Sequence, residues 1–373
     1  MAGIYLHIPF CKQACTYCNF HFSTSLRYKD EFISALIKEA DREKEYVGEE
    51  IINTIYFGGG TPSILKESEL GFLISNLLKH YHIASDAEIT LEANPDDIST
   101  EKLNAWKTIG INRLSIGVQS FFEEELIWMN RAHNATEALQ NLELAKKAFD
   151  NITIDLIYGS PLLSDEMWKQ NVEQALDLSI PHLSCYALTV EEKTPLYKLI
   201  NTNKSPDVNN ETQARQFLLL MQWLREKGYE HYEISNFAKP GFRSRHNSSY
   251  WKGEKYLGLG PSAHSYNAIE RRWNIANNNL YIKSINENLF QRETELLTPT
   301  QKLNEFIMIS LRTIEGIDLK TMSEEFGAKE QDRIKNQAQK FIQQGLIKTC
   351  NEILQLTDEG MLRADRIASE LFA

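Results

Sequence analysis

Six short β-rich runs alternate with helix-length amphipathic runs between residue 3 and about residue 190. The strands read as Ile4–Ile8, Thr54–Phe57, Glu88–Glu92, Arg113–Val118, Ile152–Ile157 and His182–Leu188. Helical patterns lie between them near 29–46, 67–80, 100–108, 135–148 and 165–177. Repetition of strand and helix requires a parallel sheet with helical crossovers. Six repeats suit a partial (β/α)6 barrel better than a closed barrel of eight. In such barrels the functional groups sit at the C-terminal strand ends and in the loops that follow.

The rest of the chain divides by composition. Residues 201–210 (NTNKSPDVNN) are polar and read as a loop, followed by a helix over Glu211–Lys227 and an extended run over Tyr229–Phe237. Residues 238–275 are rich in Gly, Ser, aromatic and basic residues, which suits an ordered functional surface. From about 298 come helical runs at 300–313, 318–325 and 329–344. Strands at Leu346–Thr349 and Ile353–Leu356 and a last helix from Thr357 follow. The expected domains are a barrel over 1–200, an extension over 201–297 and a winged-helix-like module over 298–373.

The formal net charge is −11 over 373 residues. General nucleic-acid binding needs clustered Lys and Arg, so it is not expected. The start, MAGIYLHIPF, lacks the pattern of a signal peptide, and no apolar run approaches the ~18 residues of a membrane helix. A cytoplasmic protein is expected. An odd count of five cysteines in a reducing compartment does not suit a disulfide framework. Cys185 and Cys350 stand alone and read as buried small residues, Cys185 with a place in a cavity wall.

Cys11, Cys15 and Cys18 form C-x3-C-x2-C in the loop after the first strand. Three thiolates can hold three irons of a cubane cluster and leave the fourth open to a small chelating molecule. Zinc is the alternative, with His21 or His7 as fourth ligand. Other polar or glycine-rich positions recur at strand ends. Gly58-Gly59-Gly60-Thr61-Pro62 follows the second strand, Glu92 ends the third and Gln119 the fourth, and Asp155 lies in the fifth. Successive strand ends converge on one cavity.

Together these residues resemble the radical SAM superfamily. Cys11-x3-Cys15-x-Tyr17-Cys18 matches its C-x3-C-x-aromatic-C signature, and Gly59-Gly60-Thr61-Pro62 matches its GGTP segment. The resemblance implies a [4Fe-4S] cluster on Cys11, Cys15 and Cys18, with S-adenosyl-L-methionine (SAM) on the open iron. More closely, the whole chain resembles the family of oxygen-independent coproporphyrinogen III dehydrogenase and its heme-chaperone branch, HemW. By that likeness Tyr5, Tyr17, Gly59, Gly60, Thr61 and Glu92 would face the cluster-bound SAM. Gln119, Arg131, Asp155 and Ala187 match positions that hold a second SAM in the dehydrogenase. The Arg131 fork suits a carboxylate.

Two departures set the chain apart from the dehydrogenase. Phe20 stands where that enzyme has a fourth cysteine, and only ten residues precede Cys11. His246-Asn247-Ser248-Ser249-Tyr250-Trp251 instead matches the HNxxYW motif of the chaperone branch, and Gly258–Ser265 is similar too. The resemblance implies His246 as a heme-iron ligand, with Tyr250 and Trp251 against the macrocycle. His264 would contact SAM or be a second ligand candidate. The function implied is heme binding and transfer to respiratory apo-hemoproteins, with room for peripheral membrane association through the acceptor and for a homodimer. The alternative is oxidative decarboxylation of coproporphyrinogen III to protoporphyrinogen IX.

Overall fold

The computed structural model describes all 373 residues. The parallel strands are β1 (Ala2–Ile8), β2 (Ile52–Gly59), β3 (Ile83–Ala93), β4 (Arg113–Gln119), β5 (Ile152–Tyr158) and β6 (His182–Ala187). Helices α1 (Lys29–Arg42), α2 (Glu67–His80), α3 (Thr100–Thr108), α4 (Glu123–Trp128), α5 (Ala135–Ala148) and α6 (Asp165–Asp177) connect them. All six strands lie where the sequence pattern places them. Near-continuous apolar runs, such as AGIYLHI in β1, follow from burial of both faces of a parallel sheet. Side-chain N-caps set helix starts: Ser99 accepts from Lys102 N, Asn134 from Glu137 N and Ser164 from Met167 N.

The extension continues the barrel's own sheet. Next along the chain are α7 (Pro195–Asn201) and α8 (Asn210–Glu226), then β7 (Glu230–Glu233) and β8 (Asn236–Ala238). The extended run expected at 229–237 is thus a hairpin, and β8 pairs antiparallel with β6. Helix α9 (Arg245–Trp251) leads to β9 (Lys255–Leu259), which pairs parallel with the free edge of β1. Strands β10 (His264–Tyr266) and β11 (Glu270–Asn274), helix α10 (Asn278–Asn286) and strand β12 (Arg292–Leu296) complete it. The sheet has twelve strands in the order β12-β11-β10-β9-β1-β2-β3-β4-β5-β6-β8-β7. It is an open barrel with both of its edges extended. One hydrophobic core runs from Ala2 through Phe217, Phe237 and Leu257 to Ile285.

Two buried carboxylates bind the extension to the barrel. Glu39 of α1 accepts from Gly260 N (2.8 Å), Tyr281 Oη (2.6 Å) and Asn274 Nδ2 (2.6 Å). Glu88 of β3 accepts from the first backbone amides of α9, Arg245 N (3.1 Å) and His246 N (3.0 Å). Helix N-termini favour such an anion. Arg113, 1% exposed, stands 3.9 Å from Glu88 and donates to Thr153 Oγ1.

The C-terminal module runs helix α11 (Pro299–Leu311), β13 (Ile317–Asp318), α12 (Leu319–Phe326), α13 (Ala328–Gln343), β14 (Ile347–Cys350), β15 (Ile353–Leu356), α14 (Asp358–Met361) and α15 (Ala364–Leu371). Its strands form a separate sheet in the order β13-β15-β14, over a core of its own. It meets the barrel through Ile314 N to Tyr232 O (3.0 Å) and the Arg243–Glu315 pair (2.8 Å). No helix is long and apolar enough to cross a membrane. Cys185 is buried in β6, but Cys350 is exposed on β14 and corrects the expectation of burial, because its strand lies at a sheet edge.

Removing one partner of a buried, hydrogen-bonded charge costs about 3–5 kcal/mol. Glu88→Ala is therefore expected to lower unfolding stability by roughly that amount, read as a shift in the urea midpoint. An unchanged midpoint would show that Glu88 does not anchor α9.

Candidate cofactor site and adjoining cleft

The cysteine loop leaves the end of β1 and packs beside the turn that ends β2. Gly60 N donates to Ile8 O (2.9 Å) and Thr61 N to Phe10 O (2.7 Å). Gly59 has φ +106°, a conformation glycine adopts without strain. A Cβ on Gly60 would lie 2.6 Å from Phe10 O and 2.8 Å from Ile8 O. The glycines are thus required for the turn to approach the cysteine loop.

Two of the three sulfurs already accept hydrogen bonds, Cys11 Sγ from Thr61 Oγ1 (3.4 Å) and Cys15 Sγ from Arg131 Nη1 (3.3 Å). Hydrogen bonds of this kind tune iron–sulfur sites. Burial pushes the Cys11 thiol up to about 11 and raises Cys18. Metal charge is what would deprotonate them. No three His, Cys, Asp or Glu side chains close around one point in the structure. The three thiols nonetheless share one loop, near enough for Cys18 and Cys15 to raise the Cys11 thiol further. Of the two histidines considered as a fourth zinc ligand, His7 has both ring nitrogens engaged and His21 has its Nε2 engaged, and neither joins the three cysteines around one point. His7 meets Tyr5 Oη (3.2 Å) and His21 O (2.8 Å), and His21 Nε2 meets Asn278 Oδ1 (2.7 Å). Three thiols without a fourth protein ligand fit a cluster with one open iron.

The SAM-facing candidates gather inside the barrel mouth. Glu92 accepts from Tyr56 Oη (2.8 Å) and Gly59 N (3.1 Å), so it ties the third strand end to the glycine turn. Burial, and then the neighbouring Asp155, push its carboxyl up to about 7. Burial likewise lifts Asp155 to about 6 and raises Tyr5. Tyr186 is 43% exposed, yet burial holds its hydroxyl well above the ordinary range.

Gln119 ends β4 at φ 69°, beside a register shift. Strained backbone of this kind clusters at functional sites. A Cβ on Gly117 would lie 3.0 Å from Gln119 Nε2 and 3.2 Å from Arg131 Nη2, so both side chains converge over that glycine. Asp155 is the register partner of Gly117. Arg131 donates to Gly117 O (2.6 Å) and Asn94 Oδ1 (2.8 Å) as well as to Cys15. Its Nε is buried with no partner. Ala187 is exposed at the end of β6, and Tyr17 packs against the small apolar cluster of Met129, Ile157, Leu188 and Leu196. Sequence reasoning missed Tyr56, Asn94 and Tyr186. Their positions at or near strand ends were the only signal.

A second concavity, a cleft of about 1210 Å³, opens between the cysteine loop, the β9–β11 edge and the C-terminal module. That exceeds the ~300–1,000 Å³ usual for a small-molecule site. Tyr250, Trp251, Phe20, Phe306 and His264 line it. Phe20 is 67% exposed. His246, from the same run, does not line the cleft. That residue is 1% exposed, its Nδ1 meets Thr54 Oγ1 (2.7 Å) and its Nε2 meets Tyr250 Oη (2.8 Å). Both ring nitrogens are thus bonded to the protein, the second to a residue of the cleft wall. The one-dimensional motif could not show that its histidine points inward.

A half-open barrel with three thiols after its first strand and a glycine turn after its second defines a radical SAM protein. The radical SAM superfamily model matches residues 5–175, and the HemN C-terminal domain model matches 297–363. The superfamily implies a [4Fe–4S] cluster and SAM. The chain belongs to the HemW family. It is 34% identical to the heme chaperone HemW of Bacillus subtilis, covering 98% of both chains. It is 32% identical to the heme chaperone HemW of Escherichia coli, covering 96% of this chain and 95% of that one. The solved structure of coproporphyrinogen III oxidase (HemN) from Escherichia coli shares the fold, with TM-score 0.86 at 22% identity, over 100% of this chain and 90% of that one.

After anaerobic reconstitution, Cys11→Ala, Cys15→Ala and Cys18→Ala should each lose most bound iron and acid-labile sulfide, whereas Cys185→Ala and Cys350→Ala should keep them. The folded Glu92 carboxyl keeps its proton to about pH 7, whereas an ordinary one releases it near 4.5. Its contribution to stability is therefore fully present below pH 4.5 and is lost as pH rises through 7. Glu39, Glu125 and Glu233, also raised to about 7, add to the same slope. In the cluster-free protein, Glu92→Gln should flatten the decline of stability across that window. An unchanged slope by urea titration at stepped pH would contradict the assignment.

Proposed function

We propose that this protein binds heme in the cleft and passes it to apo-hemoproteins, as the name of its relatives describes for them. One observation carries the reading: Tyr250 and Trp251, from the HNxxYW run, form a wall of a cleft large enough for a macrocycle. Aromatic faces with polar edges suit a porphyrin. Arg312 stands over the Trp251 ring (5.7 Å), which fixes the indole between barrel and C-terminal module. Respiratory hemoproteins are the acceptors we favour, met in a reducing compartment, with homodimers and contact with membrane-held acceptors as part of the same reading.

Cys11, Cys15 and Cys18 would hold the cluster, and Gly59, Gly60, Thr61, Tyr5, Tyr17 and Glu92 would position SAM. Bound together, cluster and SAM supply one-electron reduction of a sulfonium. Glu92, fixed by Tyr56 and Gly59, offers a carboxylate or carboxyl beside the glycine backbone. Gln119, Arg131, Asp155, Ala187 and His264 are the further SAM-contact candidates carried by the resemblance. Arg131 already serves the cysteine loop. Asn19 and Phe20, immediately after Cys18, line the heme cleft. A cluster on Cys18 would therefore adjoin the cleft, which supports a regulatory rather than a catalytic use of the cofactors.

Hemin added to the purified protein should give a saturable Soret band, and Trp251→Ala should weaken binding about tenfold. The loaded protein should lose heme to an apo-cytochrome faster than free hemin partitions to it. Anaerobic incubation with SAM, reductant and coproporphyrinogen III should yield no protoporphyrinogen IX. Its appearance would replace this reading by the decarboxylase.

A further inference from the structure

The histidines around the cleft differ sharply in what they have free. His246 and His7 have both ring nitrogens bonded to the protein. His21 has its Nε2 on Asn278. His264 is exposed to the cleft, at the start of β10, and its ring takes part in no hydrogen bond. The Trp273 ring stacks on it at 5.8 Å and 21°, which fixes the plane of the imidazole. Burial, and then Arg271, lower its affinity for a proton, which favours the neutral ring with its lone pair. A neutral imidazole nitrogen is what a heme iron takes as axial ligand.

The cleft also carries charge suited to the carboxylate edge of a porphyrin. Lys252 at the end of α9 and Lys302 on α11 line it, and neither is ion-paired in the structure. Arg271 is shared with Glu305. Glu254 and Glu325 stand on the same lining and mark the edge that carboxylates avoid.

We infer that His264 is the axial ligand of the iron of a heme seated in this cleft, and that His246 is a positioning residue that holds Tyr250 as its wall. This rests on the heme-binding reading above. The step is a simple ligation: an imidazole lone pair bonds to iron, a water leaves, and no proton or electron moves. His246 acts through the 2.8 Å bond to Tyr250 Oη, and Tyr250 in turn stands edge-on to Tyr256 at 4.7 Å. Lys252 and Lys302 meet the propionates.

The test titrates the full chain and its variants with hemin and, separately, with iron-free protoporphyrin IX, whose binding needs the walls but no ligand. His264→Ala should lower hemin affinity about tenfold or more. It should also lose the histidine-ligated optical and EPR signature, and added imidazole should restore that signature. Its affinity for protoporphyrin IX should change less than about threefold. His246→Ala should keep the histidine-ligated signature while weakening both porphyrins alike. Lys252→Ala with Lys302→Ala should weaken both acids but not the dimethyl ester. Wild-type spectrum and affinity in His264→Ala, with the signature lost in His246→Ala or His21→Ala, would overturn the ligand assignment and leave heme binding standing. Failure of the wild-type chain to bind either porphyrin would overturn the heme reading itself.

Discussion

The arrangement depends on strand β1 being paired in parallel on both edges, with β2 on one side and β9 on the other. Parallel strands end on the same side of a sheet. The loops after β1, β2 and β9 therefore emerge together. These loops carry the cysteines, the Gly59–Thr61 turn and the Gly260–His264 segment. The contact is close: a Cβ on Gly260 would lie 2.6 Å from His7 O. A cofactor site and a porphyrin-sized cleft can then share a border one loop wide.

Buried polar groups hold that border in place. Glu39 and Glu88 have their oxygens met by backbone amides or side-chain donors from the extension, and Arg113 stands near Glu88. A satisfied buried carboxylate specifies geometry, whereas an unsatisfied one is costly. Glu88 sets the start of α9, and α9 in turn aims Tyr250 and Trp251 at the cleft. The HNxxYW run thus does two jobs: its histidine faces inward as a brace, and its aromatic residues face outward as a surface. Helical spacing of four residues makes this possible, because His246 and Tyr250 lie one above the other on the same helix face.

The parallel strands and the barrel helices were legible because period and propensity agree along each run. The thiol motif was legible because three cysteines in eight residues, at this spacing, have few uses other than holding a metal. The hairpin over 230–238, helices α4, α7 and α10, and strand β12 were not, since short elements with mixed faces carry little periodic signal. The zinc alternative weakened only when His7 was seen to have both nitrogens engaged and His21 to stand apart from the three cysteines with its Nε2 on Asn278.

The amino-acid sequence by itself determined a parallel α/β core and the residues fit to hold an iron–sulfur cluster, because both are written in local spacing. Tertiary structure alone decided which histidine is free. His246 and His264 are alike as residues on paper. One is enclosed by Thr54 and Tyr250, which arrive from different parts of the chain or one helical turn on, and the other stands open at the edge of the cleft. Availability of a lone pair depends on what the rest of the fold brings within hydrogen-bonding distance, and that is not a local property.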